Sequence, residues 1–144
     1  FTFESALMSA GIAMRHIDED RTVPMFRTNV PCAPAGPFKG NMVVSMRPIP
    51  EARLMDVTAI CAQFPEAHGA PIHEGDPAAI GIADLSQPDF GETVLPQPGE
   101  VPVFWACGVT PQNVILSAKP DLVITHAPGH MLVTDIDEHT PTRA

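Results

Sequence analysis

Three features of this sequence predict an α/β fold. The first is an apolar, β-branched and aromatic run, Val101 to Ala106, followed by Thr110-Pro111 and then by a second apolar run, Leu122 to Thr125. A Thr-Pro pair is a natural helix start, and a crossover of about 15 residues containing a helix suits a right-handed βαβ unit and is too long for a hairpin. The second is a strand-like run from Asn41 to Met46 leading into an amphipathic stretch. The third is proline, 17 of 144 residues, spread between apolar segments instead of clustered. Prolines placed this way punctuate the loops of a domain built from short elements.

Taken in order, Thr2 to Ala10 reads as a short helix, with Phe3, Ala6, Leu7 and Ala10 recurring at i, i+3, i+4 and i+7 and Gly11 as the stop. Thr2 is its expected cap and Glu4 lies in its first turn. From Ile12 to Gly40 the periodicity is broken, and this stretch is expected to be loop with a short strand near Met14 to Ile17. After the strand at Asn41 to Met46, Pro48-Ile49-Pro50 is expected to turn the chain. Pro50 then opens a helix whose apolar face is Leu54, Val57, Ile60, Cys61 and Phe64, ending at Pro65. Residues 68–92 are dense in Gly, Pro, His and Asp, the chemistry of binding loops, with a buried strand expected at Ala79 to Ala83. The last third holds the βαβ unit, with the helix expected to reach Ala118 and stop at Pro120. A further strand is expected at Met131 to Ile136.

Composition narrows the function. The net charge of −9 repels phosphate backbones and anionic lipid, so neither nucleic acid nor a membrane surface is an expected partner. No apolar run approaches the roughly 20 residues that a membrane-spanning helix needs. Cys32, Cys61 and Cys107 are odd in number and far apart, with no C-x-x-C pair. That pattern argues against a disulfide framework or zinc knuckle and for a reducing compartment, read as the cytoplasm, or the mitochondrial matrix in a eukaryote. The chain opens on Phe1 without a basic-apolar leader, which reads as a piece of a longer protein.

In an open parallel sheet, ligands bind beyond the carboxyl ends of the strands. The βαβ reading brings two such ends together. One carries Cys107, Gly108 and Thr110 at a helix N-terminus, where free N–H groups favour an anion or a developing oxyanion. The other carries Thr125, His126 and His130. Cys107 is read either as a nucleophile or as a small buried residue. The i, i+4 spacing of His126 and His130 would suit a metal pair on a helix, but Pro128 and Gly129 between them favour acid–base or loop-holding roles. His73 and Asp76 belong to a second polar knot, HEGDP, in which Asp76 is either a site residue or the cap of a turn. Arg27 and Arg47 stand out among only eight basic residues as forks for a carboxylate, with plain surface solvation as the other reading.

Longer strings carry a resemblance. VPMFRTN at 23–29, VVSMRP at 43–48, GDPAAIGIADLSQPDFG at 75–91, EVPVFWACGVTPQ at 100–112 and ITHAPGHMLVTD at 124–135 resemble the hydro-lyase family that includes D-glutamate cyclase. The resemblance implies a three-layer α/β body plus a smaller α+β lobe, here residues 1–30 and 70–144 for the body and 31–69 for the lobe. It implies that this is the C-terminal half of the family's chain, with the N-terminal half of the same protein as a partner and a homo-oligomer left open. The implied activity is that of a lyase on a small acidic metabolite, the known case being closure of D-glutamate to 5-oxo-D-proline with loss of water. Catalytic roles are then expected among His126, His130, Cys107, Thr110 and His73. Substrate contacts are expected among Arg27, Asn29, Arg47, Asp76, Gly108 and Thr125, with no cofactor and no metal. Two rival readings remain open: a metal-dependent hydrolase using His73, His126 and His130, and a non-catalytic metabolite-binding module.

Overall fold

The computed structural model describes residues 2–130 and Asp135. Four strands form one mixed-length antiparallel sheet in the order β1-β2-β4-β3: β1 Met25–Pro31, β2 Asn41–Pro50, β3 His73–Glu74 and β4 Glu100–Ala106. Four α-helices accompany them among the described residues: α1 Thr2–Ser9, α2 Arg15–Asp18, α3 Leu54–Cys61 and α4 Thr110–Ala118. This is a mixed α/β arrangement, and the segment 31–69 supplies both α3 and the central strand β2.

β2 is buried continuously from Val43 to Ile49 because both faces of the sheet are covered. Side chains alternate across a strand, so the two faces collect different partners. One face puts Ile49, Val103 and Trp105 against Phe3 and Leu7 of α1 and Val57 and Cys61 of α3. The other puts Phe26, Val44, Met46 and Phe104 against Ile80 and Ile82. Each fully buried large apolar side chain contributes about 1.5–3 kcal/mol. The α1 periodicity therefore works as expected, with Phe3 and Leu7 fully buried.

The strand runs four residues past its expected end, through Pro48 and Pro50. Pro48 faces Pro102 of β4, and since neither has an N–H the row must be a non-hydrogen-bonded one. β1 begins only at Met25, opposite Ser45, so β2 has a single neighbour by the Pro48 row and no ladder bond is lost. The Pro102 carbonyl meanwhile accepts from the Gly75 N–H at 2.9 Å.

Other expectations are corrected. Met14 to Ile17 is not a strand: α2 forms there, turning His16 inward while Arg15 pairs with Glu100. Ala79 to Ala83 is not a strand either. Asp76 accepts from the Ala78 N–H at 3.0 Å and caps a 3-10 turn, Pro77–Ile80. β1 arises inside the expected loop, and Gly91 lets the neighbouring chain reach it. A Cβ on Gly91 would stand 2.1 Å from the Val23 carbonyl oxygen, at a φ of +76°.

The largest correction concerns the βαβ unit. β4 and α4 lie where expected, but residues 122–125 form no strand, and Leu122 and Ile124 are 80% and 90% exposed. β4 is flanked by β2 and β3, so neither of its sides is free for a parallel neighbour. An apolar run pairs only where a sheet edge offers it a half-buried surface. The expected strand at Met131 to Ile136 lies outside the described residues.

Candidate active site

The site starts at Arg47. Ser45, Arg47 and Ile49 alternate onto the helix-covered face of β2, and Arg47 is buried beneath α1 and α2. Its Nε–H and Nη2–H both donate to Glu4 Oε1, at 2.8 and 2.5 Å, and Nη1–H donates to Ser45 Oγ at 2.6 Å. The guanidinium carbon also lies 4.9 Å from the Phe3 ring centre and 5.2 Å from that of Trp105. Two of its five N–H bonds remain uncommitted in this count, so Arg47 can still meet an anion.

Glu4, in the first turn of α1, is fully buried. Burial would raise its carboxyl, but Arg47 and His16 outweigh that and hold it down at about 2. His16 Nε2 lies 3.1 Å from Glu4 Oε1, out of line for a good hydrogen bond. Glu4 is therefore the buried counter-charge of Arg47 instead of a helix-terminus charge on the surface.

Beyond β4 the chain makes a tight turn, Cys107 to Val109, into α4. The Cys107 N–H donates to the Val43 carbonyl at 3.0 Å, and burial pushes its thiol up from the ordinary range. A thiol held protonated is a poor nucleophile. Thr110 is the first residue of α4, not its cap. Its hydroxyl accepts from the Val43 N–H at 3.0 Å and donates to the Val43 carbonyl at 3.1 Å, tying the helix to β2.

The turn after α3 brings in His68, whose ring packs edge-on against Phe3 and whose Nδ1 lies 2.6 Å from the Ala106 carbonyl oxygen. Residues 126–130 complete the rim. The Gln112 side chain donates to the His126 carbonyl at 2.8 Å. The Pro128-Gly129 turn packs so closely that a Cβ on Gly129 would stand 3.1 Å from Thr22 Cγ2.

These pieces enclose a cavity of about 500 Å³, the size of a small-molecule site. Four of the chain's six histidines line it (His16, His68, His126 and His130), together with Arg21, Arg47, Ser45, Cys107 and Gly108. Of the residues expected from sequence, Arg47, Cys107, Gly108, His126 and His130 meet here. The others stand elsewhere. His73 Nε2 lies 2.7 Å from the Asp76 carbonyl oxygen on the β3 side, and Asp76 is the turn cap described above. Arg27 donates to Asp89 Oδ1 at 2.6 Å and to Asn113 at 2.9 Å, and Asn29 packs against Gly81. Thr125 is exposed, its hydroxyl donating to the His126 carbonyl at 3.0 Å. Sequence reading missed His16, His68 and Arg21. His68-Gly69, opening the Gly-, Pro- and His-rich stretch after α3, was the available signal for one of them. Among the described residues no three His, Cys, Asp or Glu side chains are grouped so as to hold a metal ion, and no helix is long and apolar enough to cross a membrane.

A cavity of this size, rimmed by imidazoles and guanidinium groups over an antiparallel sheet, defines an α/β protein with a histidine-lined pocket large enough for a small molecule. A family model described as D-glutamate cyclase matches residues 1–135, and the chain belongs to that family. It is 63% identical over 142 residues to a protein of Jannaschia sp. (strain CCS1) named "Putative hydro-lyase", covering 99% of this chain and 53% of that protein. It is 59% identical over 140 residues to "Putative hydro-lyase YcsI" of Bacillus subtilis (strain 168), covering 97% and 54%. A similarly named protein of Stutzerimonas stutzeri (strain A1501) is 57% identical over 136 residues, covering 94% and 51%. The chain thus spans about half the length of the curated relatives it matches.

Proposed function

We propose that this chain carries the acid–base pocket of a hydro-lyase acting on a small acidic metabolite, with closure of D-glutamate to 5-oxo-D-proline as the specific reaction. The observation that carries this reading is the gathering of four histidines and two arginines around one cavity of about 500 Å³ in an otherwise acidic chain. A dicarboxylate entering the cavity would meet the guanidinium groups of Arg47 and Arg21, the first paired with Glu4 and the second with Glu19. Glu4 and Ser45 fix the Arg47 fork in place, so little is lost in ordering it on binding.

Cyclisation asks three things of the protein. The ammonium must lose a proton so that nitrogen can attack the γ-carboxyl carbon. The tetrahedral oxyanion must then be stabilised, and one of its oxygens must leave as water. Imidazoles suit the first and third tasks near neutral pH. The turn at Gly108 and Val109, just ahead of α4, lines the cavity and suits the second, because a helix N-terminus favours developing negative charge. Since the relatives are about twice as long, the working enzyme in this proposal is the longer protein, with the second half closing the pocket.

The test is proton NMR of D-glutamate and, separately, L-glutamate incubated with the full-length protein. Growth of 5-oxoproline from the D isomer alone is the expected result. No product from either isomer, with or without added divalent metal, would exclude glutamate as the substrate.

A further inference from the structure

The four cavity histidines are not equivalent. His16 is buried against Glu4 and is a partner of its carboxylate. His126 and His130 lie exposed on the rim, with Nδ1 of each near a carbonyl one or two residues away, at 3.0 and 3.2 Å. His68 is half-buried, and its Nδ1 meets a carbonyl 38 residues away in sequence, at the end of β4. A carbonyl oxygen can only accept, so at 2.6 Å the His68 Nδ1 must carry the proton. In the neutral ring, Nε2 is then a bare lone pair, and no described residue supplies it with a partner.

The backbone supports the same conclusion. His68 sits at a φ of +81°, a left-handed region uncommon for side-chain-bearing residues, although histidine enters it more often than most. The turn is held by N–H bonds from Ala67 and Gly69 to the Phe64 carbonyl, at 2.9 and 3.0 Å. Backbone strain of this kind tends to persist where the position of a side chain matters to function. Burial also lowers the imidazole's proton affinity; the hydrogen bond to the Ala106 carbonyl opposes this, Arg47 adds to it, and Glu4 opposes it weakly.

On the reading proposed above, we propose that His68 is the general base of the cavity, its Nε2 taking a proton from the substrate while the Ala106 carbonyl fixes its tautomer. For D-glutamate the balance is simple. Nε2 takes one proton from the ammonium, and the nitrogen lone pair forms the C–N bond to Cδ, the carbon of the side-chain carboxyl. A second proton leaves nitrogen as the adduct collapses. Both end on one former carboxylate oxygen as its C–O bond breaks, so that water leaves and His68 returns to neutral.

Asparagine separates this role from a structural one. It tolerates positive φ, and its amide N–H can replace Nδ1–H at the Ala106 carbonyl, but it has no basic nitrogen. In the full-length protein, His68→Asn is expected to keep the wild-type melting temperature and a KM for D-glutamate within about threefold, while kcat falls by about a hundredfold or more. The acid limb of the wild-type pH profile, expected below the ordinary histidine value of 6.5, should vanish in the variant. Arg47, Glu4, His16, Cys107, His126 and His130 surround the site and stay unchanged between the two proteins. A kcat within about tenfold of wild type would overturn the proposal. If wild type makes no 5-oxoproline, the substrate reading fails and nitrogen-15 NMR of the labelled imidazoles decides the role of His68. A bare Nε2 at neutral pH that shifts on adding glutarate, an unreactive dicarboxylate, supports it. An Nε2–H tautomer, or a ring indifferent to glutarate, overturns it.

Discussion

Replacing Glu4 by Gln keeps the shape of the buried network and removes its negative charge. Arg47, 4% exposed, would then keep a buried positive charge with no counter-charge from α1. Breaking one side of such a pair costs about 3–5 kcal/mol, a large share of the 5–15 kcal/mol by which domains are stable. The acidity of Glu4 gives a second figure for the same pair. The Glu4 carboxyl lies at about 2 in the folded chain against an ordinary 4.5. A depressed carboxyl stabilises the fold above its unfolded value, and that contribution fades as pH falls through 4.5 towards about 2. The shift corresponds to about 3 kcal/mol, in line with the first figure. Urea unfolding followed by fluorescence of Trp105, the single tryptophan of this chain, measures both. Wild type should exceed Glu4→Gln by at least about 3 kcal/mol at neutral pH, and the gap should close as the medium is acidified. The paired change Glu4→Leu with Arg47→Met, which removes both charges, should recover much of the loss. A gap below about 1 kcal/mol, or one that is the same at about pH 5 and about pH 2.5, would refute this account of the network.

Three further outcomes are expected. Thr110→Val removes both hydrogen bonds to Val43 and should cost about 1–3 kcal/mol in thermal or urea unfolding, because it strips a tether and not a catalytic group. Gly91→Ala drives a Cβ into the Val23 carbonyl and should lower stability by about 2 kcal/mol or more in the same assay; an unchanged melting point would mean that the β1 edge is packed differently. The Cys107 thiol is raised by burial, so its alkylation by iodoacetamide should still be accelerating at pH 9.0, its ordinary value, and Cys107→Ala should retain turnover within about tenfold of wild type. A plateau in the alkylation rate near neutral pH would restore the thiol as a nucleophile.

What could be read in advance was local. Phe3 and Leu7 mark one buried stripe of α1, the Val57 to Cys61 spacing gives the inner face of α3, and Thr110-Pro111 gives the start of α4. β1 was missed because Arg27 and Asn29, the outward half of its alternation, look like loop residues until a partner strand covers Phe26 and Thr28. Residues 122–125 misled for the converse reason, since their β-branched composition describes a surface no neighbouring strand covers. Arg27 drew notice as a rare cation, yet Asp89 and Asn113 engage it on the outer side of β1. His16 drew none, being one polar residue in a short helix until β2 places Arg47 beside it.

The sequence by itself determined the family, the positions of most helices and the chemical types available to a site, because each depends on near neighbours in the chain. Only the tertiary structure decided that the sheet is antiparallel and that α2, the turn after α3, the end of β4 and residues 126–130 share one cavity. The physical reason is sequence separation. His16, Arg47, His68, Cys107 and His126 come together through strand pairing and the burial of two sheet faces, interactions that no local spacing encodes.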